Sequence, residues 1–304
     1  FMTMKKIFLT GGSGFLGWHV IRALAGRYEL CCASHASPLP DMMNIRAMPV
    51  DFLTPCSLKN IIEPIEPDIV IHMAALSKTG FCEENPEIAH RINVEATREI
   101  LEGTNPVLTR VIYISTDLVF DGSKGFYRES DIPNPTMVYS QTKLEAENLV
   151  QSRGGNYAIL RLALMYGKGS PGHDSFLSWL EKDIAHGSVI LFTDEYRTPL
   201  YVRDAASAID RLVESDFTGI MHLGGGRRCS RYEFGIEFTK QKGYPVGVIV
   251  GKKLMDTPIN MVRPPDVSLD STLAKSVLGI HPRSFEKGIA DYLGDASCTD
   301  EVKK

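Results

Sequence analysis

The run Thr10-Gly11-Gly12-Ser13-Gly14-Phe15-Leu16-Gly17 constrains this chain more than any other segment. It follows an apolar stretch, Lys6–Thr10, and opens a helical pattern over Phe15–Arg27. Gly12, Gly14 and Gly17 satisfy G-x-G-x-x-G, and Gly11, Gly14 and Gly17 satisfy a variant with wider first spacing. In a strand-to-helix junction one glycine makes the tight turn and another lets backbone approach a pyrophosphate. The last lets helix pack on strand. The anion then lies against free N–H groups at the positive helix end. Gly11, Gly14, Phe15, Leu16 and Gly17 are therefore candidate contacts to a dinucleotide.

The rest of the first half fits that junction. Continuous apolar runs at Lys6–Thr10, Tyr28–Ala33, Arg46–Val50, Asp68–Met73, Arg110–Ser115 and Tyr157–Leu162 alternate with helical patterns, clearest at Phe15–Arg27, Pro86–Gly103 and Tyr139–Arg153. Unbroken apolar strands are what a parallel sheet covered by helices on both faces requires. The pattern predicts an α/β fold, a doubly wound parallel sheet of Rossmann type, with a smaller, discontinuous C-terminal substrate lobe. Residues 1–163, joined by about 201–222 through a helix at Val202–Glu214, make the first unit. Residues 164–200 and 223–294 make the lobe, with a helix from about Asp174 to Ala185, and residues 295–304 form a tail expected to fray.

Composition narrows the function classes. A net charge of −4 over 304 residues leaves no basic footprint for nucleic acid. No stretch approaches the ~18 apolar residues of a membrane span. The chain leads straight into an apolar strand rather than a signal sequence, and its six cysteines form no C-x-x-C pair. These features predict a cytoplasmic protein with reduced thiols. The eight histidines form no ligand cluster, so no metal is expected, and His72 reads as a packed strand residue.

Tyr139-Ser140-Gln141-Thr142-Lys143 places a phenol and an ammonium four residues apart, on one helix face. A cation beside the phenol, whose free pKa is ~10, favours phenolate and fits Tyr139 for proton exchange with a hydroxyl or carbonyl. The strand Arg110–Ser115 ends at Ser115-Thr116-Asp117, on the sheet edge where ligands bind in open α/β folds. Thr116 can hydrogen-bond the same substrate oxygen, and Thr116, Tyr139 and Lys143 form the candidate catalytic set. The second strand ends Cys32-Ala33-Ser34-His35, without the carboxylate that an NAD site carries there. Ser34 and His35 are candidate contacts to a 2′-phosphate, which favours NADP as cofactor with NAD as the alternative.

These motifs resemble the extended short-chain dehydrogenase/reductases. The resemblance rests on Thr10–Gly17, His72-Met73-Ala74-Ala75, Ile92-Asn93-Val94-Glu95, Ser115–Gly122, Tyr139–Lys143, Leu160–Gly167, Thr198–Asp204 and Gly219–Gly226, and it weakens beyond about Lys240. Within that family Ser115–Gly122 and the segments Met221–Gly225 and Ser230–Phe234 are most similar to the dTDP-4-dehydrorhamnose reductases. The resemblance implies hydride delivery from a nicotinamide to C4 of a keto-sugar on a nucleotide diphosphate. Tyr139 would protonate the oxygen, and Lys143 would lower the tyrosine pKa and bind the nicotinamide ribose. Thr116 would orient the carbonyl. Asp51, with Phe52, would meet the adenine. Ala74, Ala75 and Ser115 would line the cofactor, and Asn93 would hold backbone geometry beneath it. The dehydratases of the family carry Thr-Asp-Glu; here the third residue is Leu118, so dehydration is not expected. The run Ser77–Phe81 also departs from the reductase pattern and leaves the sugar open. Arg197, Thr198, Tyr201 and Arg203 are candidate substrate contacts, since cations suit a diphosphate. The alternatives are an epimerase or another carbonyl reductase of the family, or a non-catalytic, dinucleotide-binding regulatory subunit. A homodimer is left open.

Overall fold

The computed structural model describes residues 4–35, 38–42, 44–170, 172–173, 175–245, 247–256 and 262–295. Seven strands form the main sheet: β1 (Lys6–Thr10), β2 (Glu29–Ser34), β3 (Ile45–Pro49), β4 (Ile69–His72), β5 (Arg110–Thr116), β6 (Tyr157–Leu162) and β7 (Gly219–Leu223). They lie in the order 3-2-1-4-5-6-7, and every pairing is parallel. The chain leaves β1 towards one edge and returns at β4 towards the other. This reversal opens a crevice outside the carboxyl ends of β1 and β4. Every residue of β4 and β5 is buried, which accounts for their unbroken apolar runs.

Helices cover both faces. Phe15–Leu24 and Val202–Val213 pack with the sheet through Val20, Ile21, Leu24, Ala205, Ile209 and Leu212. On the opposite face Leu58, Ile62, Ala96 and Ile100 bury against Phe8, Val70 and Val111, and Ala146 and Val150 against Tyr113 and Ile159. The helix expected over Pro86–Gly103 is interrupted. It runs as Pro86–His90, a π-helical turn at Arg91–Glu95, and Ala96–Glu102. Such π-turns frequently mark functional sites, and this one carries Asn93.

A second apolar cluster forms after β6. Tyr166, Leu177, Leu180, Val189, Phe234, Phe238, Ile249, Phe285 and Ile289 are buried together, drawn from the helices Phe176–Ala185, Arg231–Lys242 and Phe285–Gly294 and the short strands Met165–Tyr166, Val189–Phe192 and Ile249–Lys252. The helix Thr272–Leu278 behaves differently from its sequence neighbours, because Ala274 and Leu278 pack with the main sheet cluster. It does not join the lobe expected for 223–294. Asp174, read as the start of a helix, and residues 296–304 of the tail lie outside the described residues.

A buried ion pair ties the sheet to the helix Val138–Arg153. Arg161 on β6 meets Glu147 with Nη2 to Oε2 at 2.6 Å and Nε to Oε1 at 3.0 Å, and both side chains are buried. Removing one partner strands the other charge, so Glu147→Ala should lower stability by about 3–5 kcal/mol. Asp210→Asn, which breaks a surface pair with Arg27, should cost under about 1 kcal/mol. Urea unfolding of the two variants checks the contrast; equal losses would contradict it.

Candidate active site

The crevice is one cavity of about 1160 Å³. Gly11, Gly14 and Gly17 line it while Gly12 does not; Gly12 faces inward, where an added Cβ would lie 2.8 Å from Ile21 Cδ1. The wider-spaced glycine register is therefore the one that meets the cavity. Gly11 has φ +73°, and a Cβ there would sit 2.7 Å from the Ala74 backbone nitrogen. A Cβ on Gly17 would overlap the Gly11 carbonyl oxygen. Only bare backbone fits here, and that leaves a cradle for an anion at the start of the helix Phe15–Leu24. The cradle fits the phosphates of a dinucleotide.

On the other wall stand Ser115, Thr116, Tyr139 and Lys143. Lys143 Nζ donates to the Ile114 carbonyl at 2.7 Å and lies 4.1 Å above the Tyr113 ring. Thr116 Oγ1 accepts from the Leu118 N–H at 3.2 Å and donates to Asp117 Oδ1 at 3.1 Å. The Ser115 hydroxyl is buried with no protein partner, which suits a ligand contact.

The electrostatics differ from the sequence expectation in one respect. Burial, then the charge of Asp117, raises the Tyr139 phenol above its ordinary value, with Thr116 pulling slightly the other way. Burial also depresses Lys143 from 10.5 to about 7, opposed by Glu147. In the protein alone the ammonium therefore does not favour phenolate. Both groups are kept near neutral because a dry site penalises charge.

Two networks hold this wall to the glycine loop. The Thr97 hydroxyl donates to the Asn93 carbonyl at 2.8 Å, so at 3.0 Å from His72 Nε2 it can only accept. His72 thus carries its proton on Nε2, and its Nδ1 accepts from Thr10 Oγ1 at 2.6 Å. Thr10 Oγ1 in turn accepts from the Ala74 N–H at 3.1 Å. Burial, with the Lys143 charge, drives His72 down to about 3, so it stays neutral. Asn93 accepts from the Leu76 N–H at 2.8 Å, and donates to the Leu76 carbonyl at 3.2 Å and to Thr142 Oγ1 at 2.9 Å. Ala74 and Ala75 line the cavity on the strand exit that these bonds fix.

The remaining candidates divide. Arg197 lines the cavity, buried, with its Nε 4.0 Å from Asp117 Oδ2. Thr198, Tyr201 and Arg203 do not line it. Thr198 is buried and accepts from the Leu269 N–H at 3.2 Å, and Tyr201 packs 5.6 Å from the Tyr166 ring. Arg203 pairs at the surface with Asp295. Each of the three is committed to the protein. Ser34, His35, Asp51 and Phe52 also lie outside the cavity walls, Ser34 as the last residue of β2 and the others past the ends of β2 and β3; the Asp51 carboxylate accepts from the Leu53 N–H at 2.9 Å in its own turn. Sequence reasoning missed Glu195, Arg231 and Arg263, which line the cavity beside Arg197. Arg231 could have been found. It is the first residue of a helix, where the macrodipole disfavours a cation, and such a broken local rule marks a functional position. Among the described residues no group of histidines, cysteines and carboxylates could hold a metal. No helix there is long and apolar enough to cross a membrane.

Strand order and crevice define a Rossmann-type α/β protein with its candidate site at the topological switch point. The chain belongs to the family described as RmlD substrate binding domain, which it matches over residues 4–298. It is 31% identical to a hypothetical dTDP-4-dehydrorhamnose reductase from Sulfolobus tokodaii, covering 92% of this chain and 97% of that one, with a TM-score of 0.79. A dTDP-4-dehydrorhamnose reductase from Bacillus anthracis in complex with NADP superposes with a TM-score of 0.81 at 22% identity, covering 96% of this chain and 99% of that one. Methionine adenosyltransferase 2 subunit beta of Xenopus tropicalis is 28% identical over 95% of this chain and 87% of its own length.

The Lys143 environment makes a pH prediction. Between about 7 and 10.5 the unfolded chain holds a proton that the folded protein has released. The site's contribution to stability is therefore poorest below about 7, where the buried amine must be charged, and improves as pH rises through that window. Wild type should gain stability relative to Lys143→Met from pH 7 towards pH 10. Urea unfolding of both at several pH values checks the slope; a difference independent of pH would contradict it.

Proposed function

We propose that this protein is an NADPH-dependent reductase of a nucleotide-diphosphate 4-keto sugar. The observation that carries the reading is the meeting, in one cavity, of the Gly11–Gly17 cradle with Thr116, Tyr139 and Lys143. When bound, the dinucleotide supplies the hydride. Tyr139 keeps its proton at neutral pH because its site is dry, which is what an acid must do until a carbonyl oxygen gathers negative charge. Thr116, which lines the same cavity, would orient the substrate carbonyl by a hydrogen bond to its oxygen. Lys143, held by the Ile114 carbonyl, stands one turn along the helix, where it can replenish the tyrosine proton and hold a ribose hydroxyl. Leu118 stands where elimination would need a second carboxyl.

Family membership and the reductase likeness of the Sulfolobus protein support the reaction class. The carboxylate-free end of β2, Ser34-His35, supports NADP over NAD, and the Bacillus anthracis protein is in complex with NADP. The cationic wall of Arg197, Arg231 and Arg263 supports a diphosphate-bearing substrate.

A second reading is favoured by the likeness to an adenosyltransferase subunit. There the chain would bind the dinucleotide and present a surface to a partner enzyme without turning over a sugar. Measuring NADPH oxidation against a panel of keto-sugar nucleotides separates the two readings.

Fluorescence titration should show tighter binding of NADPH than NADH; a clear preference for NADH would overturn the cofactor assignment. Tyr139→Phe should leave dinucleotide binding nearly intact while lowering turnover about 10²–10⁴-fold. Lys143→Met should lower both, and Thr116→Val should be milder, since it removes one hydrogen bond worth ~0.5–1.5 kcal/mol. Steady-state kinetics on an identified substrate decides the ordering, and full activity in Tyr139→Phe would refute the mechanism.

A further inference from the structure

Glu195 is a buried carboxylate that three cavity arginines share. Its Oε1 accepts from Arg197 Nη2 at 3.2 Å and from Arg231 Nε at 3.4 Å, and its Oε2 accepts from Arg263 Nη1 at 2.9 Å. All four residues line the cavity. Glu195 is 1% exposed. Aromatic rings fix two of the guanidiniums: Arg231 lies 4.7 Å over Phe176, and Arg263 lies 5.4 Å over Phe192. Arg197 is further held by the Tyr196 and Pro264 carbonyls at 2.7 and 3.1 Å.

We infer that Glu195 is a positioning residue for a diphosphate subsite: it holds Arg197, Arg231 and Arg263 in a fixed fan facing the cavity. The inference rests on the proposed nucleotide-sugar reading and deepens it by naming the residue that orients the cationic wall. Three guanidiniums meet one carboxylate, and the nearby Asp117, 4.0 Å from Arg197, supplies the second negative charge. Positive charge is left over on the cavity side. An isolated buried arginine cluster would repel itself apart. A single shared carboxylate offsets part of that repulsion, and each guanidinium is a planar fork of the kind that meets phosphate oxygens. Burial pushes the Glu195 carboxyl up, but Arg231, Arg197 and Arg263 together outweigh it and hold the group below its ordinary value. The carboxylate is thus charged throughout the neutral range. Arg263 is the member that reaches solvent, 38% exposed, at the mouth where a nucleotide would enter.

Charge and position make opposite predictions for Glu195→Gln, which is why the variant is informative. If Glu195 only neutralises charge, removing its charge makes the site more cationic and tightens anion binding. If it positions the fan, the arginines lose their common anchor and binding weakens. The test is calorimetric titration of UDP and dTDP, with uridine as the phosphate-free control, in the presence and absence of saturating NADPH. Wild type should bind the diphosphates and not uridine. Glu195→Gln should weaken that binding about tenfold or more while leaving NADPH binding unchanged. Arg263→Lys keeps the charge at an exposed position without the planar fork, so it also tests positioning should Glu195→Gln fail to fold, and it should lose about as much. Unchanged or tighter diphosphate binding in Glu195→Gln, full affinity in Arg263→Lys, or no diphosphate binding by wild type would each overturn the proposal. Because these measurements need no turnover, loss of diphosphate binding in the variants without reduction of any sugar would uphold the subsite and refute the reductase reading instead.

Discussion

Asn93 is the side chain on which the two halves of the site depend. Through three hydrogen bonds it ties the exit of β4 at Leu76 to Thr142 on the helix of Tyr139 and Lys143. The π-turn it sits in is the local rearrangement that aims it there. An uninterrupted helix would turn position 93 to a different angle. The companion relay Thr10, His72 and Thr97 crosses the same switch point from the glycine side. Buried polar networks of this kind are stable only when every member is satisfied. Here the donor count closes, with a single tautomer of His72.

Dryness is the second organising condition. Burial keeps Tyr139 firmly protonated and draws Lys143 down to about 7, so only Lys143 is poised close to its charge change at neutral pH. Neither shift comes from the pair acting on each other; both come from the walls that Ile114, Tyr113 and the surrounding sheet provide. The same environment separates function from support at Glu147, which is buried one turn beyond Lys143 and balanced by Arg161. It raises the Lys143 pKa from beneath the site without lining the cavity.

Another part of the cavity wall obeys the opposite rule. There charge is concentrated in Glu195, Arg197, Arg231 and Arg263, with Asp117 between Arg197 and Thr116.

Much of this was legible in the residues. Six of the seven strands were legible as apolar runs, while Gly219–Leu223 and the strand order came only from tertiary pairing, and the Gly11–Gly17 loop could sit only at a strand-to-helix junction. Tyr139 and Lys143 share a helix face because residues four apart must. What spacing could not show is anything that depends on segments distant in sequence. Gly12 and Gly11 compete for one motif until packing against Ile21 turns Gly12 inward. Thr198, Tyr201 and Arg203 sit beside Arg197 in the chain yet point into the protein or to a surface partner, because a two-residue strand and a helix start turn neighbouring side chains in different directions. Glu195, Arg231 and Arg263 come from three separate segments, so no local pattern announces them as a group. A charge can be recognised as buried, shared and facing a ligand only once the fold has brought its partners within hydrogen-bond distance.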